Sequence, residues 1–361
     1  MLTFAIPTWN RVKQLENCIR SIHSQAVEGV QIIVSDHGST DGTWQRLNEM
    51  QDELYPYLQI FQLERTEKSD FQDNFQACFS LPQTRWTWTF GDDDLLLSGT
   101  LSMVLELLKK TEAQFIHVSE LVRADKDAHY RRGTLLKLCN DLGWLDMTGF
   151  ITCNIMKTDR LRHAVNHYLW EKWSKNAFPQ SCALLEEFAH DQCMFVNYPI
   201  VDSQVHEQTT ETINRWQLNQ TATRYFYVDE ALSEMVARGT FGHNFKFDNS
   251  FFRYHSYFIW DRLISNMISQ YVNHPEDPHE ELWGNIEGLV NLLDENSAKI
   301  LRERITYVKN GIAAHKNCYH ELMRAGKVLD LLYGGHQVER FGFTYTGVPA
   351  HEAAVVADQG R

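Results

Sequence analysis

Several absences narrow this 361-residue chain before any motif is read. No stretch approaches eighteen consecutive apolar residues, and the opening MLTFAIPTWN has no basic segment ahead of an apolar one. Neither a membrane span nor a secretion signal is therefore expected. The seven cysteines, Cys18, Cys78, Cys139, Cys153, Cys182, Cys193 and Cys318, are odd in number, scattered, and form no CxxC pair. That excludes a thiolate zinc site and a disulfide framework, and it fits a reducing cytosol. Basic residues are in deficit, 34 Lys and Arg against 47 Asp and Glu, for a formal charge of -13 with no basic run. Nucleic acid is thereby excluded as the main partner, and an anionic membrane is disfavoured. There is no internal repeat and no low-complexity linker. What remains, 43% hydrophobic and 22% charged, is an ordinary globular composition with length enough for a full core.

The most informative stretch is Thr87 to Leu97, TWTFGDDDLLL. A short aromatic and β-branched run reads as a buried strand, and Gly91 lets the backbone turn so that Asp92, Asp93 and Asp94 project from its carboxyl end. Adjacent carboxylates repel one another unless a cation neutralises them. A hard divalent ion, Mn²⁺ or Mg²⁺, suits such oxygen ligands and leaves positions open for phosphates. A solvated acidic turn is the simpler reading of three aspartates alone.

The preceding chain supplies a context. Leu2 to Ile6 reads as a buried strand stopped by Pro7, and its end presents Thr8, Trp9 and Asn10. Leu15, Ile19 and Ile22 follow at helical spacing, and Val30 to Val34 is a second strand. Strand, helix and strand in about thirty residues make a βαβ unit, so a mostly parallel sheet covered by helices is predicted. In such sheets ligands bind at the carboxyl ends of the strands. The second strand ends in SDHGSTDGT, a strand-to-helix turn with an unneeded aspartate, Asp36, suited to accept from a nucleobase N–H. Trp9 is either a core residue or a face for that base, a stacking contact of about 1–3 kcal/mol. Leu58 to Leu63 is predicted as a third strand and Phe71 to Phe79 as a helix. Three strand ends, at Thr8-Trp9, Asp36 and Asp92 to Asp94, thus open on one crevice.

AIPTWNR with Leu15, Ser21 and Gln25 downstream, then IIVSDHGSTDGT, then WTWTFGDDDLL, resembles in that order the nucleotide-sugar half of the family-two glycosyltransferases, which have the GT-A fold. The GDDDLL ending, with an FxxNF-like helix at Phe71 to Phe75, is similar to bacterial enzymes that build O-antigen and other surface polysaccharides. The resemblance covers about the first hundred residues. It implies an α/β, Rossmann-like GT-A sheet and assigns Pro7, Thr8, Trp9, Arg11 and Asp36 to the nucleotide. Asp92 and Asp93 would hold ribose and diphosphate, and Asp92 and Asp94 the metal. His37 replaces a usual second aspartate. Asp73 stands where an arginine often precedes Asn74, which leaves Lys68 or Arg65 to supply a cation.

On the acceptor side, Arg123 to Lys137 is expected as a surface loop and Gly149 to Asn154 as a strand. The family's base is a carboxylate on a helix about a hundred residues after the metal aspartates. Asp191 with Met194, on an expected helix through Leu184 to Met194, matches best, with Glu187 one turn away in reserve; a solvated helix face is the alternative. By the same resemblance, His206 is a candidate metal ligand.

Residues 1–222 are expected as the catalytic domain, 1–100 for the nucleotide sugar and 101–222 for the acceptor. A helical region follows over 223–345, and 346–361 form a disordered tail. The aromatic segment around Tyr254 to Ile268 suits packing on the core, a homodimer interface or contact with a lipid-linked acceptor. The reading is a metal-dependent inverting transferase that uses a nucleoside diphosphate sugar and a glycan or lipid-linked acceptor, in the cytoplasm or peripheral at the inner membrane face. A non-catalytic nucleotide- or glycan-binding protein is the alternative. A sugar nucleotidyltransferase would need a glycine-rich phosphate loop that Pro7 to Arg11 lacks.

Overall fold

Every residue of Leu2–Thr8 is buried, on both faces, as a strand covered by helices on two sides requires. The computed structural model describes residues 1–66, 69–120, 129–203, 218–248 and 251, isolated positions between 284 and 306, and 338–340 with 343–345. The chain divides into two compact units. One comprises 1–174, 179–204 and 240–251; the other comprises 175–178, 205–239 and 252–361.

The first unit runs β1 (Leu2–Thr8), α1 (Val12–His23), β2 (Val30–Asp36), α2 (Thr43–Glu53), β3 (Leu58–Gln62), α3 (Phe71–Ser80) and β4 (Trp86–Thr89). It continues through β5 (Leu95–Leu96), α4 (Thr100–Lys110), β6 (Phe115–Ser119), β7 (Tyr130–Thr134), α5 (Leu135–Leu142) and α6 (Trp144–Thr148). After these come β8 (Asn154–Lys157), α7 (Thr158–Val165), α8 (Trp170–Trp173), α9 (Pro179–Phe188), β9 (Gln192–Pro199) and β10 (Val201–Asp202). Eight strands form one sheet in the order β3-β2-β1-β4-β8-β6-β9-β7, and β5 pairs with β10 in a separate ribbon. Strands β3, β2, β1, β4, β6 and β9 run one way, while β8 and β7 oppose them. The predicted mostly parallel α/β sheet is therefore present.

The alternation in WTWT explains how β4 joins two layers. Trp86 and Trp88 lie level with Leu2 and Phe4 of β1 and share with them the core built on α1, α2 and α4. Phe4 and Trp88 stack with centroids 4.9 Å apart. Thr87 and Thr89 face the other way. Thr87 exchanges a 2.8 Å hydroxyl hydrogen bond with Thr158 at the start of α7, and Thr89 donates to the Ile151 carbonyl at 2.7 Å. On the β1–β2 part of that face lies α3, which in turn meets α7.

Three expectations need correction. Arg123 to Lys137 is not all loop: Tyr130–Thr134 pairs antiparallel with β9 as an edge strand and leads into α5. Gly149 to Asn154 holds a 3-10 turn, Ile151–Cys153, ahead of β8. The helix expected through Leu184 to Met194 stops at Phe188, because Gln192–Pro199 is claimed by pairing with β6 and β7. A run rich in Cys, Phe and Val fits a buried strand, and the sheet supplies its partners.

In the second unit Leu218–Arg238 is a helix and Val338–Arg340 pairs antiparallel with Phe343–Tyr345, while most of the span expected as helical, 223–345, lies outside the described residues. The aromatic segment around Tyr254 to Ile268 and the tail after Tyr345 lie outside the described residues. Among those described, no helix is long and apolar enough to cross a membrane.

Trp88 is fully buried and its indole N–H donates to the Thr152 carbonyl at 2.8 Å. Trp88→Ala removes the ring and orphans that carbonyl. Urea denaturation should show a stability loss of about 3–5 kcal/mol.

Candidate functional site

The carboxyl ends of β1, β2 and β4 lie at one sheet edge, so the residues that follow them meet there. Thr8 ends β1, level with Asp36 at the end of β2. Asn74 of α3 ties these ends together, donating to the Thr8 carbonyl at 3.1 Å and the Ser35 carbonyl at 2.9 Å.

Beyond Thr8 the chain turns through Asn10, whose φ of 55° is the left-handed conformation that asparagine tolerates better than most residues. Its amide donates to Ser39 Oγ at 2.8 Å, and its side-chain oxygen accepts from the Thr40 amide at 2.8 Å. The Arg11 amide donates to Thr43 Oγ1 at 3.2 Å, and the Val12 amide to Asp41 at 3.3 Å. SDHGSTDGT is thus both a helix entry and the clamp that positions Arg11.

Arg11 reaches across to the acidic turn. Its guanidinium pairs with Asp93 and lies 3.9 Å from Asp92, which also accepts from the Thr8 hydroxyl at 2.7 Å. Asp94 accepts from the Thr152 hydroxyl, whose oxygen takes the Gly91 amide at 2.9 Å. A side chain at position 91 would run into the Asp94 carboxylate and that same hydroxyl, so glycine is needed there for space. Burial pushes Asp92 up to about 6, against the pull of Arg11 and Thr8. It pushes Asp94 up to about 7, with Asp93, Glu120 and Asp92 adding to the rise and Thr152 opposing it.

At the β2 end the carboxylate of Asp36 is fully buried and already engaged. It accepts from the Ser39 amide at 3.1 Å, from the Ser39 hydroxyl and from the Gln62 amide group at 3.0 Å. Its role in these contacts is to shape the turn, and Gln62 stands between it and solvent. Trp9 is half-buried beneath Arg65, whose guanidinium sits 3.9 Å from the ring centroid. Arg65 also pairs with His37 Nδ1 at 3.2 Å; burial, then Arg65, hold His37 below the usual imidazole range. A neutral His37 accepts from Arg65 and fixes it on Trp9. The close approach of Arg65 Cβ also explains Gly38, whose φ is +64°.

Of the residues singled out from sequence, Pro7, Thr8, Trp9, Arg11, Asp36, Asp92, Asp93 and Asp94 are brought to this edge. Lys68 and His206 lie outside the described residues. Glu187 and Asp191 are not brought to it. Thr89, Asn154, His117 and Phe195 lie level across β4, β8, β6 and β9. Asp191 precedes β9 on the opposite edge, roughly 20 Å from the acidic turn by strand rise and spacing. Both carboxylates are committed to Arg160, Asp191 at 2.7 Å, and Glu187 also meets His163. Thr152, Gln62 and Ser39 are site residues that no motif flagged; the GST turn offered the single local hint, for Ser39.

Among the described residues no three His, Cys, Asp or Glu side chains gather as a ready metal cage. Asp92 and Asp94 nevertheless suit a hard cation that takes one or two carboxylates and completes its shell with a substrate's phosphates. Their raised pKa values carry a sign: folding retains protons that an unfolded aspartate, titrating near 4, has released. Their contribution to stability is present below about pH 4 and is lost as pH rises through about 6 and 7. In EDTA, the melting midpoint of the wild type should therefore fall relative to Asp94→Asn as pH rises from about 4 to about 7.

Residues 3–174 match the family described as Glycosyl transferase family 2. Abequosyltransferase RfbV of Salmonella typhimurium is 31% identical over 106 residues, 29% of this chain and 31% of the relative. The GalNAc(5)-diNAcBac-PP-undecaprenol beta-1,3-glucosyltransferase of Campylobacter jejuni is 32% identical over 119 residues, 32% of this chain and 36% of the relative. The matched stretch thus spans about a third of each relative's length. The crystal structure of S. aureus TarS in complex with UDP-GlcNAc aligns with a TM-score of 0.54 at 13% identity, covering 90% of this chain and 92% of that one. Another TarS structure aligns at 0.52, with 12% identity and coverage of 90% and 91%. At such identities the likeness speaks for the fold, which is GT-A. Over residues 3–174, just under half of its length, the chain is thus similar to glycosyltransferase family 2.

Proposed function

We propose that this protein is a metal-dependent, inverting glycosyltransferase. It moves a sugar from a nucleoside diphosphate sugar to a hydroxyl of a glycan or lipid-linked acceptor in surface polysaccharide synthesis. The observation that carries this reading is the convergence of Thr8, Arg11 and the Asp92–Asp94 turn at one sheet edge, beside the Trp9–Arg65 stack. The relatives support it. Two are named as transferases of a sugar, one of them with a polyprenyl diphosphate in its name, and TarS carries UDP-GlcNAc.

In this reading the base stacks against the Trp9–Arg65 pair, and Gln62 and Arg65 offer hydrogen-bonding groups at its edge. Asp92 and Asp93 hold ribose and diphosphate. A divalent cation, Mn²⁺ or Mg²⁺, would be held by Asp92 and Asp94 and would neutralise charge developing on the departing diphosphate. Arg11, fixed by the turn at Ser39 to Thr43, supplies positive charge on the same side. Thr152 holds Asp94 at the closed end of the turn, beside Gly91.

A thermal-shift panel of UDP, GDP, CDP, dTDP and ADP, each with Mn²⁺ and with EDTA, tests the proposal. One nucleotide should raise the melting midpoint with Mn²⁺ and lose that effect in EDTA, because only the native state binds it. Asp92→Asn should abolish the metal-dependent part. If none of the five shifts the wild type with Mn²⁺ present, the transferase reading is wrong. Trp9→Ala should weaken binding of the effective nucleotide by about 1–3 kcal/mol in calorimetry, roughly 5- to 150-fold, with the folded state retained.

A further inference from the structure

Transfer to a hydroxyl needs a carboxylate at the donor edge of the sheet, and Asp191 and Glu187 are at the other edge. A second carboxylate outside the acidic turn does stand at the donor edge. Glu120 follows Ser119, the last residue of β6, which runs parallel to β4 and so ends on the same side. It is half-buried, and Ser203 Oγ donates to its Oε2 at 2.6 Å.

Ser203 is itself located by the small ribbon that follows the acidic turn. β10 pairs antiparallel with β5, Val201 with Leu96 and Asp202 with Leu95. The next step along that ladder sets Ser203 level with Asp94. The ribbon is fastened to the core, since Leu97 donates to the Ile200 carbonyl at 3.0 Å and Ile200 to the Ser119 carbonyl at 2.9 Å. Gln25 of α1 also donates to the Leu97 carbonyl at 3.1 Å. Glu120 therefore stands beside the acidic turn with Oε2 held by Ser203, and among the described residues no other partner engages its second oxygen, Oε1.

We infer that Glu120 is the catalytic base that takes the proton of the acceptor hydroxyl, with Ser203 as its positioning residue; this rests on the transferase reading. In the step, the acceptor oxygen forms a bond to the anomeric carbon as its proton passes to Glu120 Oε1. The bond from that carbon to the diphosphate oxygen breaks, and its electron pair leaves with the nucleoside diphosphate. An orienting hydroxyl on one carboxylate oxygen fixes the other for proton transfer.

The test uses the full chain and needs no knowledge of the natural acceptor, because water serves as a slow one. Release of nucleoside diphosphate from UDP-GlcNAc, UDP-glucose, GDP-mannose, CDP-glucose and dTDP-glucose is measured with Mn²⁺, alongside the melting midpoint with the matching nucleotide. Glu120→Gln should keep the wild-type midpoint and its Mn²⁺-dependent nucleotide shift while release falls by 100-fold or more. Ser203→Ala should lower kcat about tenfold and leave KM for the donor unchanged, a split that a general loss of structure would not give. Asp191→Asn should retain release within about threefold. Release by Glu120→Gln within threefold of wild type would overturn the assignment. So would loss of the nucleotide shift in that variant, which would make Glu120 part of donor or metal binding. A wild type that releases nothing from any donor would overturn the transferase reading, and the role of Glu120 with it.

Discussion

Negative charge held out of water at the end of β4 is the constraint on which the rest of the first unit depends. Two carboxylates there are pushed towards neutrality by burial, and two neighbouring parts of the chain answer that strain with donors and a cation. Thr8 and Arg11 come from the β1 end, and Thr152 comes from the turn before β8. Arg11 in turn depends on Asn10, Asp41 and Thr43, so a loop from the far side of β2 helps to hold charge beside β4. Removing any one of these groups leaves the others facing an uncompensated carboxylate. That electrostatic imbalance is what a cation and a diphosphate together are suited to resolve.

The donor edge was legible in the sequence because its chemistry is local. Strand, glycine and aspartates are contiguous in WTWTFGDDD, and SDHGSTDGT carries its own turn signals, so periodicity and capping sufficed. Ser21 and Gln25 were visible only as part of a resemblance, and the fold gives each of them a physical role. The Leu96 amide donates to Ser21 Oγ at 3.0 Å, and Gln25 holds the Leu97 carbonyl, so α1 fastens the chain just past the acid.

The acceptor side was less legible because its decisive partners are distant. Gln192–Pro199 has no periodicity that separates a strand from a buried helix, and only β6 and β7 decide the matter. Tyr130–Thr134 is polar and exposed as an edge strand should be, which on sequence alone resembles a loop. A carboxylate's place along the chain says nothing of which end of a sheet it occupies. Asp191 and Glu120 lie beside parallel strands, yet one precedes its strand and the other follows it. Thr152 could not be singled out either, since its value lies in meeting Asp94 and the Gly91 amide across 58 and 61 residues of chain.

Asn74 spans the gap between β1 and β2 with one amide group that serves two carbonyls, and its own oxygen is buried without a hydrogen-bond partner. The backbone ladder already holds those strand ends together, Thr8 level with Asp36 and the His37 amide on the Thr8 carbonyl at 3.0 Å. The Asn74 NH₂ group adds a direct link from both ends to α3. The same helix carries a capping box at Asp70 and Asp73 and a Gln76 donation to the Val165 carbonyl at 2.8 Å, so the strand ends are tied through it to α7. Drift of α3 would strain both Asn74 hydrogen bonds at once, so its Asn74 face is under tighter geometric tolerance than its apolar composition suggests.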